Sequence, residues 1–189
     1  MAGFITIPVP FLGSLNERQS KLLGLTVIAH QQACYNNQNA SKEICRCIAQ
    51  CGGRLENGIA SAILSLGGSH APLLDARDTY LHGNRFTIGD KLSRKKGYKV
   101  PGFGNSFFKD HIDPAWVPVR SFIKEEFTLS FDRITQLSGD VAEATGKTLF
   151  PNAALFTAVV CEICEIPAGM ESTIFILSRL PIWADYASR

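Results

Sequence analysis

Helical periodicity runs through most of this chain of 189 residues, and strand signals are sparse. Apolar residues recur at helical spacing in segments that cover residues 15–33, 42–51, 54–68, 69–81, 116–139, 152–166 and 171–187. Residues 4–9, "FITIPV", form the one segment with strand character. Because helices with apolar faces bury those faces against one another, the sequence predicts a mainly α protein.

Capping residues and glycines indicate where the helices begin and end. Ser14 and Ser41 are candidate N-caps of the first two helices, and a further helix is predicted to begin near Ser69. Glycine pairs at positions 52–53 and 67–68 are predicted to end helices.

The segment from His82 to Pro118 has a different character, because glycine, proline and charge rise and periodicity fades. It is predicted to be rich in loops, where functional residues concentrate. Within it, "KVPGFGNSFFKDHIDPAW", residues 99–116, places two glycines around an aromatic residue just before Asn105. By itself the Gly-Phe-Gly pattern is a weak signal, since glycines also mark ordinary turns.

Composition limits the class of protein. With 46% hydrophobic and 19% charged residues, the chain is expected to bury one substantial core rather than to be disordered. A net charge of +2 is too small for non-specific binding to nucleic acid. No window reaches the ~18 apolar residues that a membrane span requires, and the N-terminus lacks the basic region of a secretory signal. We therefore expect a soluble, cytoplasmic protein.

Six cysteines occur mainly in two clusters, "CRCIAQC" and "CEIC", which suggest either a metal site, disulfides or buried thiols. The spacings differ from those of paired zinc knuckles, and the cytosol disfavours disulfides. Each cluster lies in an apolar helical pattern, where cysteine behaves as a small hydrophobe. The sequence thus favours no metal site.

Arg179 lies inside an apolar helical segment, so its side chain must reach water, a carboxylate or another anion. His70, which follows a glycine pair, is by itself more typical of a structural histidine. The basic residues Arg94, Lys95, Lys96 and Lys99, taken alone, indicate a solvated loop.

Taken together and in order, these segments resemble the citrate synthase and citryl-CoA lyase family. The similar stretches are "NASKEICRCIAQCGGRLENGIASAILSLGGSHAP" from residue 39, "KVPGFGNSFFKDHIDP" from residue 99, and "NAALFTAVVCEICEIPAGMESTIFILSRLPIW" from residue 152. The resemblance spans about residues 21–186 and is more specific than any single motif.

The resemblance implies a citrate-synthase-like helical core, formed by residues 1–71 and 151–189, and a smaller helical lobe, residues 72–150, which carries the ligand loop. In the family the two lobes close over the substrate, and the active unit is a homodimer.

The family joins or breaks a carbon–carbon bond between an acetyl thioester and oxaloacetate, using one carboxylate base and two hydrogen-bond donors. His70 matches the histidine that holds the thioester carbonyl. Asn105 stands where a second histidine is expected; its amide can donate a hydrogen bond but carries no proton at neutral pH. Ala154 stands where the carboxylate base is expected, and a methyl group cannot remove a proton. Glu162, Glu165 and Asp140 are acidic residues within sequence reach, but the family pattern places none of them as a replacement base.

The resemblance also implies ligand-binding positions. Asn36 and Ala115 replace residues that bind the dicarboxylate, whereas Arg179 matches a retained carboxylate-binding arginine. The CoA side is implied to be better preserved, with Lys99, Gly102, Phe103, Gly104 and Lys109 as binding residues and Arg94 to Lys96 nearby.

Three functions follow as alternatives. The chain is either an active enzyme with altered acyl-CoA chemistry, an inactive homologue that binds CoA as a regulator or as partner of a catalytic paralogue, or a structural dimer module. No covalently bound cofactor is expected, and CoA or acyl-CoA is the expected ligand or substrate. Loss of the base favours the inactive homologue, because general-base catalysis contributes about 10²–10⁴-fold to such rates.

Overall fold

The computed structural model describes residues 15–36, 40–66 and 72–188, and these residues are largely helical with no β-strand among them. The helices are α1 (Glu17–Asn36), α2 (Ala40–Gln50), α3 (Leu55–Leu64), α4 (Leu73–His82), α5 (Arg85–Arg94), α6 (Val117–Glu126), α7 (Thr128–Thr145), α8 (Ala153–Ile163) and α9 (Glu171–Ala187), with a 3₁₀ turn at Pro114–Trp116 before α6. The mainly α class is confirmed. The strand predicted at residues 4–9 and the candidate cap Ser14 lie outside the described residues.

Helix α5 lies where the sequence predicted loops. Its N-cap, Asn84, accepts hydrogen bonds from the backbone nitrogens of Phe86 and Thr87 at 3.0 and 3.1 Å. Thr87 Oγ1 accepts in return from the Asn84 backbone nitrogen at 3.0 Å, which completes a capping box. Only Ile88 of this helix is buried, so its hydrophobic periodicity is weak and the prediction missed it.

Other helix boundaries also differ from the predictions. Residues 116–139 do not form one helix, because the backbone turns at Phe127 with φ −134° and ψ 58° between α6 and α7. Ser41 lies in the first turn of α2 rather than at its cap, and α4 begins at Leu73 rather than near Ser69.

Helix α8 is the centre of the fold. Its residues from Ala154 to Cys161 are all buried, as expected for a helix that is apolar on every face. One side of α8 contributes Leu155 and Phe156 to the larger core cluster, and the other contributes Ala154 and Ala158 to the smaller one. The larger cluster contains residues of the predicted core and residues of the predicted smaller lobe. The division into two lobes stays a prediction.

A buried ion cluster joins three helices around the same centre. Arg77 on α4 pairs with Glu162 at the end of α8 and with Glu171 at the start of α9. The second carboxylate oxygen of Glu171 accepts from the backbone nitrogen of Gly169 at 2.9 Å. In the part of the chain that the structure describes, no helix is long and apolar enough to cross a membrane.

Candidate functional site

A cleft of about 1180 Å³ opens between α4, α8, α9 and the Gly-Phe-Gly loop. Its lining includes the acidic Asp75, the basic Lys95, Lys99, Lys147 and Arg179, the loop residues Gly102, Phe103, Gly104 and Asn105, and the apolar Leu149, Ala153, Ala154 and Phe175. The structure therefore brings together most positions that the sequence singled out, although Lys95 and Arg179 are 84 residues apart. His70 lies outside the described residues, and its role stays a prediction.

Glycine is required at both ends of the loop. Gly102 has φ +86°, and a Cβ there would lie 3.0 Å from the Cβ of Leu155 on α8. Gly104 has φ +79° with open space around it, so its backbone angle alone favours glycine. Phe103 between them is 6% exposed and belongs to the larger core cluster. The loop backbone thus runs close along α8 and is anchored by its aromatic side chain.

Asn152 fastens this loop to the start of α8. Its Oδ1 caps the helix by accepting from the backbone nitrogen of Ala154 at 2.9 Å, while its Nδ2 donates to the Gly104 carbonyl at 2.9 Å. Its backbone nitrogen donates to the Gly102 carbonyl at 2.9 Å, and Gly104 N donates to the Phe150 carbonyl at 2.9 Å. The loop and the helix start therefore form one rigid wall of the cleft. Asn152 was not predicted as a site residue, although an asparagine before an apolar helix is a recognisable N-cap signal.

Asn105 lies in the cleft lining directly after the loop. Its Oδ1 accepts a hydrogen bond from the backbone nitrogen of Phe107 at 2.9 Å, which is an Asx turn. Because the carbonyl end of the amide is used in this turn, the NH₂ end is left to donate to a ligand. This arrangement is compatible with the donor role predicted for Asn105.

Methyl groups occupy the position where the resemblance implied a carboxylate base. Ala154 is 6% exposed and lines the cleft together with Ala153. None of Glu162, Glu165 and Asp140 is among the described residues that line the cleft, and Glu162 is paired with Arg77. The carboxylate present in the described lining is Asp75, an exposed residue of α4 that the sequence analysis did not consider.

Arg179 is a buried cation that lines the cleft, and none of the described residues forms an ion pair with it. The residue is 5% exposed, and its guanidinium lies over the Phe175 ring at 3.9 Å from the centroid. Its Nε and Nη1 are buried and have no hydrogen-bond partner among the described residues. Burial lowers the pKa of Arg179 to about 10. A buried charge without a partner lowers the stability of the fold, and pairing with an anion would offset that loss.

A neutral histidine lies behind this arginine. His30 of α1 is fully buried, and burial, with the nearby charge of Arg179, holds its pKa well below the usual value. Its Nε2 donates to the hydroxyl of Thr157 at 2.8 Å, because that hydroxyl itself donates to the Ala153 carbonyl at 2.7 Å. The His30 ring packs edge-on against Phe175, with centroids 5.0 Å apart. Its only sequence signal was a periodic position in α1, so the prediction missed it.

Basic residues line another part of the cleft. Lys95, Lys99 and Lys147 are exposed there, so they retain their hydration and flexibility. Lys109 is exposed but is not part of the lining, and Arg94 is paired with Asp90 at 2.8 Å. The CoA-binding roles predicted for Lys99 and Lys109 stay predictions. Lys147, from the segment after α7, was not identified because it is isolated in the sequence.

Asn36 and Ala115 come together in a second cleft of about 310 Å³. Gln32, Phe108, Asp113 and Pro114 complete its described lining. The two altered positions are thus neighbours in space, as the resemblance implied, but the described lining of this cleft does not include Arg179.

The cysteines divide into two groups. Cys34, Cys45, Cys161 and Cys164 are buried, and burial raises their thiol pKa values, to about 12 for Cys161. Cys47 and Cys51 are exposed, so the interpretation of all six as small core hydrophobes is wrong for these two. Within the described ranges, no group of three or more His, Cys, Asp or Glu side chains could hold a metal ion.

Comparisons with known proteins agree with this architecture. The model of the citrate synthase C-terminal domain matches residues 11–185. No curated protein matches the chain.

Solved structures show the same fold. Citryl-CoA lyase from Hydrogenobacter thermophilus superposes with a TM-score of 0.76 at 20% identity, over 93% of this chain and 70% of that one. Citrate synthase from Thermotoga maritima superposes with a TM-score of 0.73 at 23% identity, over 93% of this chain and 49% of that one. Citrate synthase from Pyrobaculum aerophilum superposes with a TM-score of 0.69 at 19% identity, over 93% of this chain and 46% of that one. Since the family model covers far more than half of the chain, this protein belongs to the citrate synthase family.

Proposed function

We propose that this chain binds an acyl-CoA thioester in the large cleft and does not carry out the carbon–carbon chemistry of its family. The observation that carries the proposal is the combination of an unpaired Arg179 with a methyl group, Ala154, at the expected base position. The described lining of the cleft has groups that attract anions, and it has a methyl group where the family resemblance implies the base.

The charges of the cleft support an elongated, anionic ligand. Lys95, Lys99 and Lys147 would meet the phosphates of CoA, because ammonium groups are point-charge donors for phosphate oxygens. Arg179 would pair with a carboxylate, since its planar guanidinium matches that group. The NH₂ of Asn105 would donate to a carbonyl oxygen of the ligand.

Calorimetry with CoA and acetyl-CoA tests the binding. We expect saturable binding of both, weakened severalfold by Lys95→Ala, because an exposed phosphate contact contributes modestly. The matched control is Lys96→Ala, which removes the adjacent exposed lysine outside the lining. Absence of binding at millimolar ligand, or an equal loss in both variants, would contradict the proposal.

An active enzyme is the second candidate, because Asp75 supplies a carboxylate to the cleft. If the chain acts on citryl-CoA, or on acetyl-CoA with oxaloacetate, then Asp75→Asn should reduce product formation by about 10²-fold or more. Product formation by the wild type, measured as thiol released from acetyl-CoA with oxaloacetate or as oxaloacetate released from citryl-CoA, would favour this candidate. If the wild type forms no product, the non-catalytic proposal is favoured.

A restoring experiment examines the cleft geometry itself. The double variant Asn105→His with Ala154→Asp replaces both altered positions, and we expect measurable condensation or cleavage only if the remaining groups are placed for it. Asn105→His alone is the control, since it lacks the base.

In this proposal the protein acts as a regulator or partner subunit, either as a homodimer or with a catalytic relative. Exposed apolar residues, including Ile28 and Tyr35 of α1 and Leu64 of α3, support association with another chain. Light scattering of the purified chain tests the homodimer, and a monomeric mass at micromolar concentration would leave only the heteromeric form.

A further inference from the structure

The two exposed cysteines lie together at the end of α2, away from the cleft described above. Cys47 is in the helix, and the backbone nitrogen of Cys51 donates to the Cys47 carbonyl at 3.0 Å, which continues the helical turn by one residue. Residues four apart on a helix share one face, with Cβ atoms roughly 5–6 Å apart. Both thiols are therefore presented to solvent side by side.

The backbone that follows keeps Cys51 in this position. Gly52 has φ +75°, and the backbone nitrogens of Gly52 and Gly53 donate to the carbonyls of Ala49 and Ile48 at 2.9 and 2.8 Å. A Cβ on Gly53 would lie 2.8 Å from the Ile48 carbonyl oxygen, so glycine is needed for this tight helix end. The end of α2 is thus a hydrogen-bonded cap rather than a frayed terminus.

This spacing suits a bridging ion better than a disulfide. A disulfide requires Cβ atoms about 3.8 Å apart, so the capped helix end would have to shift. Two metal–sulfur bonds of roughly 2.3 Å each span about 4.6 Å between sulfurs, which thiols on adjacent helical turns reach by side-chain rotation.

Among the described residues, Cys47 and Cys51 are the two side chains available as metal ligands at this site. Glu43, one turn before Cys47, is paired with Arg46 at 2.7 Å. No third ligand joins the cysteines in any group that could hold a metal within the described residues. Zinc takes four ligands, and hard cations prefer oxygen, whereas thiolates select soft ions such as Cu(I).

We propose that Cys47 and Cys51 form a two-coordinate thiolate site for a soft monovalent metal ion, of which Cu(I) is the representative. Binding exchanges two thiol protons for the ion, so that Cu⁺ and two RSH give [Cu(SR)₂]⁻ and two H⁺. No electron is transferred in this step.

Competition against a chromophoric Cu(I) chelator, with the reduced full-length chain and without oxygen, tests the site. We expect one equivalent of Cu(I) to bind to the wild type. Cys47→Ser and Cys51→Ser should each weaken binding by about 100-fold or more, since even changes around metal ligands cost 10–100-fold. Zn²⁺ should compete poorly.

Two further variants keep the inference falsifiable. Cys47→Ser with Cys51→Ser leaves the four buried thiols intact, and full Cu(I) binding by this variant would overturn the proposal. Arg46→Cys with Cys51→Ser keeps two exposed thiols at neighbouring positions that do not face each other. Unchanged affinity in that variant would overturn the argument from spacing, whereas a loss with unchanged helical circular dichroism supports it.

Discussion

Two buried arginines on adjacent helices have opposite surroundings. Arg77 of α4 is 9% exposed and pairs with both Glu162 and Glu171. Burial acts to lower the pKa of Arg77, but its hydrogen bonds to the two glutamates outweigh that effect and raise it. Arg179 of α9 is 5% exposed and has buried nitrogens without a described partner, and burial lowers its pKa to about 10.

The difference separates a structural role from a ligand-binding one. The charge of Arg77 is satisfied within the fold, so it holds α4, α8 and α9 together. Among the described residues no side chain forms an ion pair with Arg179, so an anion that enters the cleft would satisfy its charge. We therefore expect Arg77 to determine the stability of the fold and Arg179 to determine ligand binding.

The largest effect is expected from Arg77→Met. Removing this cation leaves two carboxylates without their partner at a buried junction, which costs about 3–5 kcal/mol of unfolding free energy. Urea denaturation measures the loss. The control is Arg85→Met, which removes an exposed pair with Glu143 and should cost less than about 1 kcal/mol. Equal effects of the two substitutions would contradict the structural role of Arg77.

Arg179→Met should have the opposite effect on the unliganded protein. The apolar side chain removes an unpaired buried charge, so stability should be unchanged or increase by up to about 3 kcal/mol. The same substitution should weaken binding of a carboxylate-bearing thioester at least tenfold, as for the loss of a charge-assisted pair of about 1.5–3 kcal/mol. A marked loss of stability together with unchanged binding would reverse the assignment.

At alkaline pH, the difference in unfolding free energy between the wild type and Arg179→Met should become smaller. Because burial holds the folded-state pKa of Arg179 near 10, below its value in the unfolded chain, the unfolded state binds more protons above about pH 10. The destabilising contribution of Arg179 is therefore fully present below about pH 10 and declines as pH rises above it. Thermal unfolding of wild type and Arg179→Met across pH 8 to 11 measures the gap. A gap that widens with pH would contradict the lowered pKa.

The smallest effect is expected from Phe175→Leu, which removes the ring under the guanidinium. A partly desolvated cation–π contact contributes about 1–2 kcal/mol, so ligand affinity should fall by roughly 5- to 30-fold while the charge of Arg179 remains. Because Phe175 also packs in the core, unfolding must be measured alongside binding. Unchanged affinity would show that the stack does not orient Arg179.

Much of the helical framework was predictable because its apolar periodicity is local. The segment 171–187 was predicted as one helix and is found as α9, and the segment 152–166, predicted to be helical, contains α8. Helix α5 was not predictable from periodicity, since only Ile88 of it is buried and its start depends on the Asn84 capping box. Phe127 divides α6 from α7 by a backbone turn within a segment whose periodicity indicated one helix.

In the candidate site, the Gly-Phe-Gly loop, Asn105, Ala154 and Arg179 were all identified from the sequence, because their types and order resemble a family pattern. Asp75, Lys147 and His30 were not, since each is an ordinary residue in its own segment. Their importance arises only from which helices pack against one another.

The amino-acid sequence by itself determined the mainly α class, the glycines that the cleft loop needs, and the absence of a carboxylate at position 154. These properties depend on residue type and on local backbone preference. Only the tertiary structure decided that Arg77 is paired while Arg179 is not, and that Cys47 and Cys51 face solvent while the other four thiols are buried. The energy of a charge or a thiol depends on the atoms around it, and in a helical protein those atoms come from distant parts of the chain.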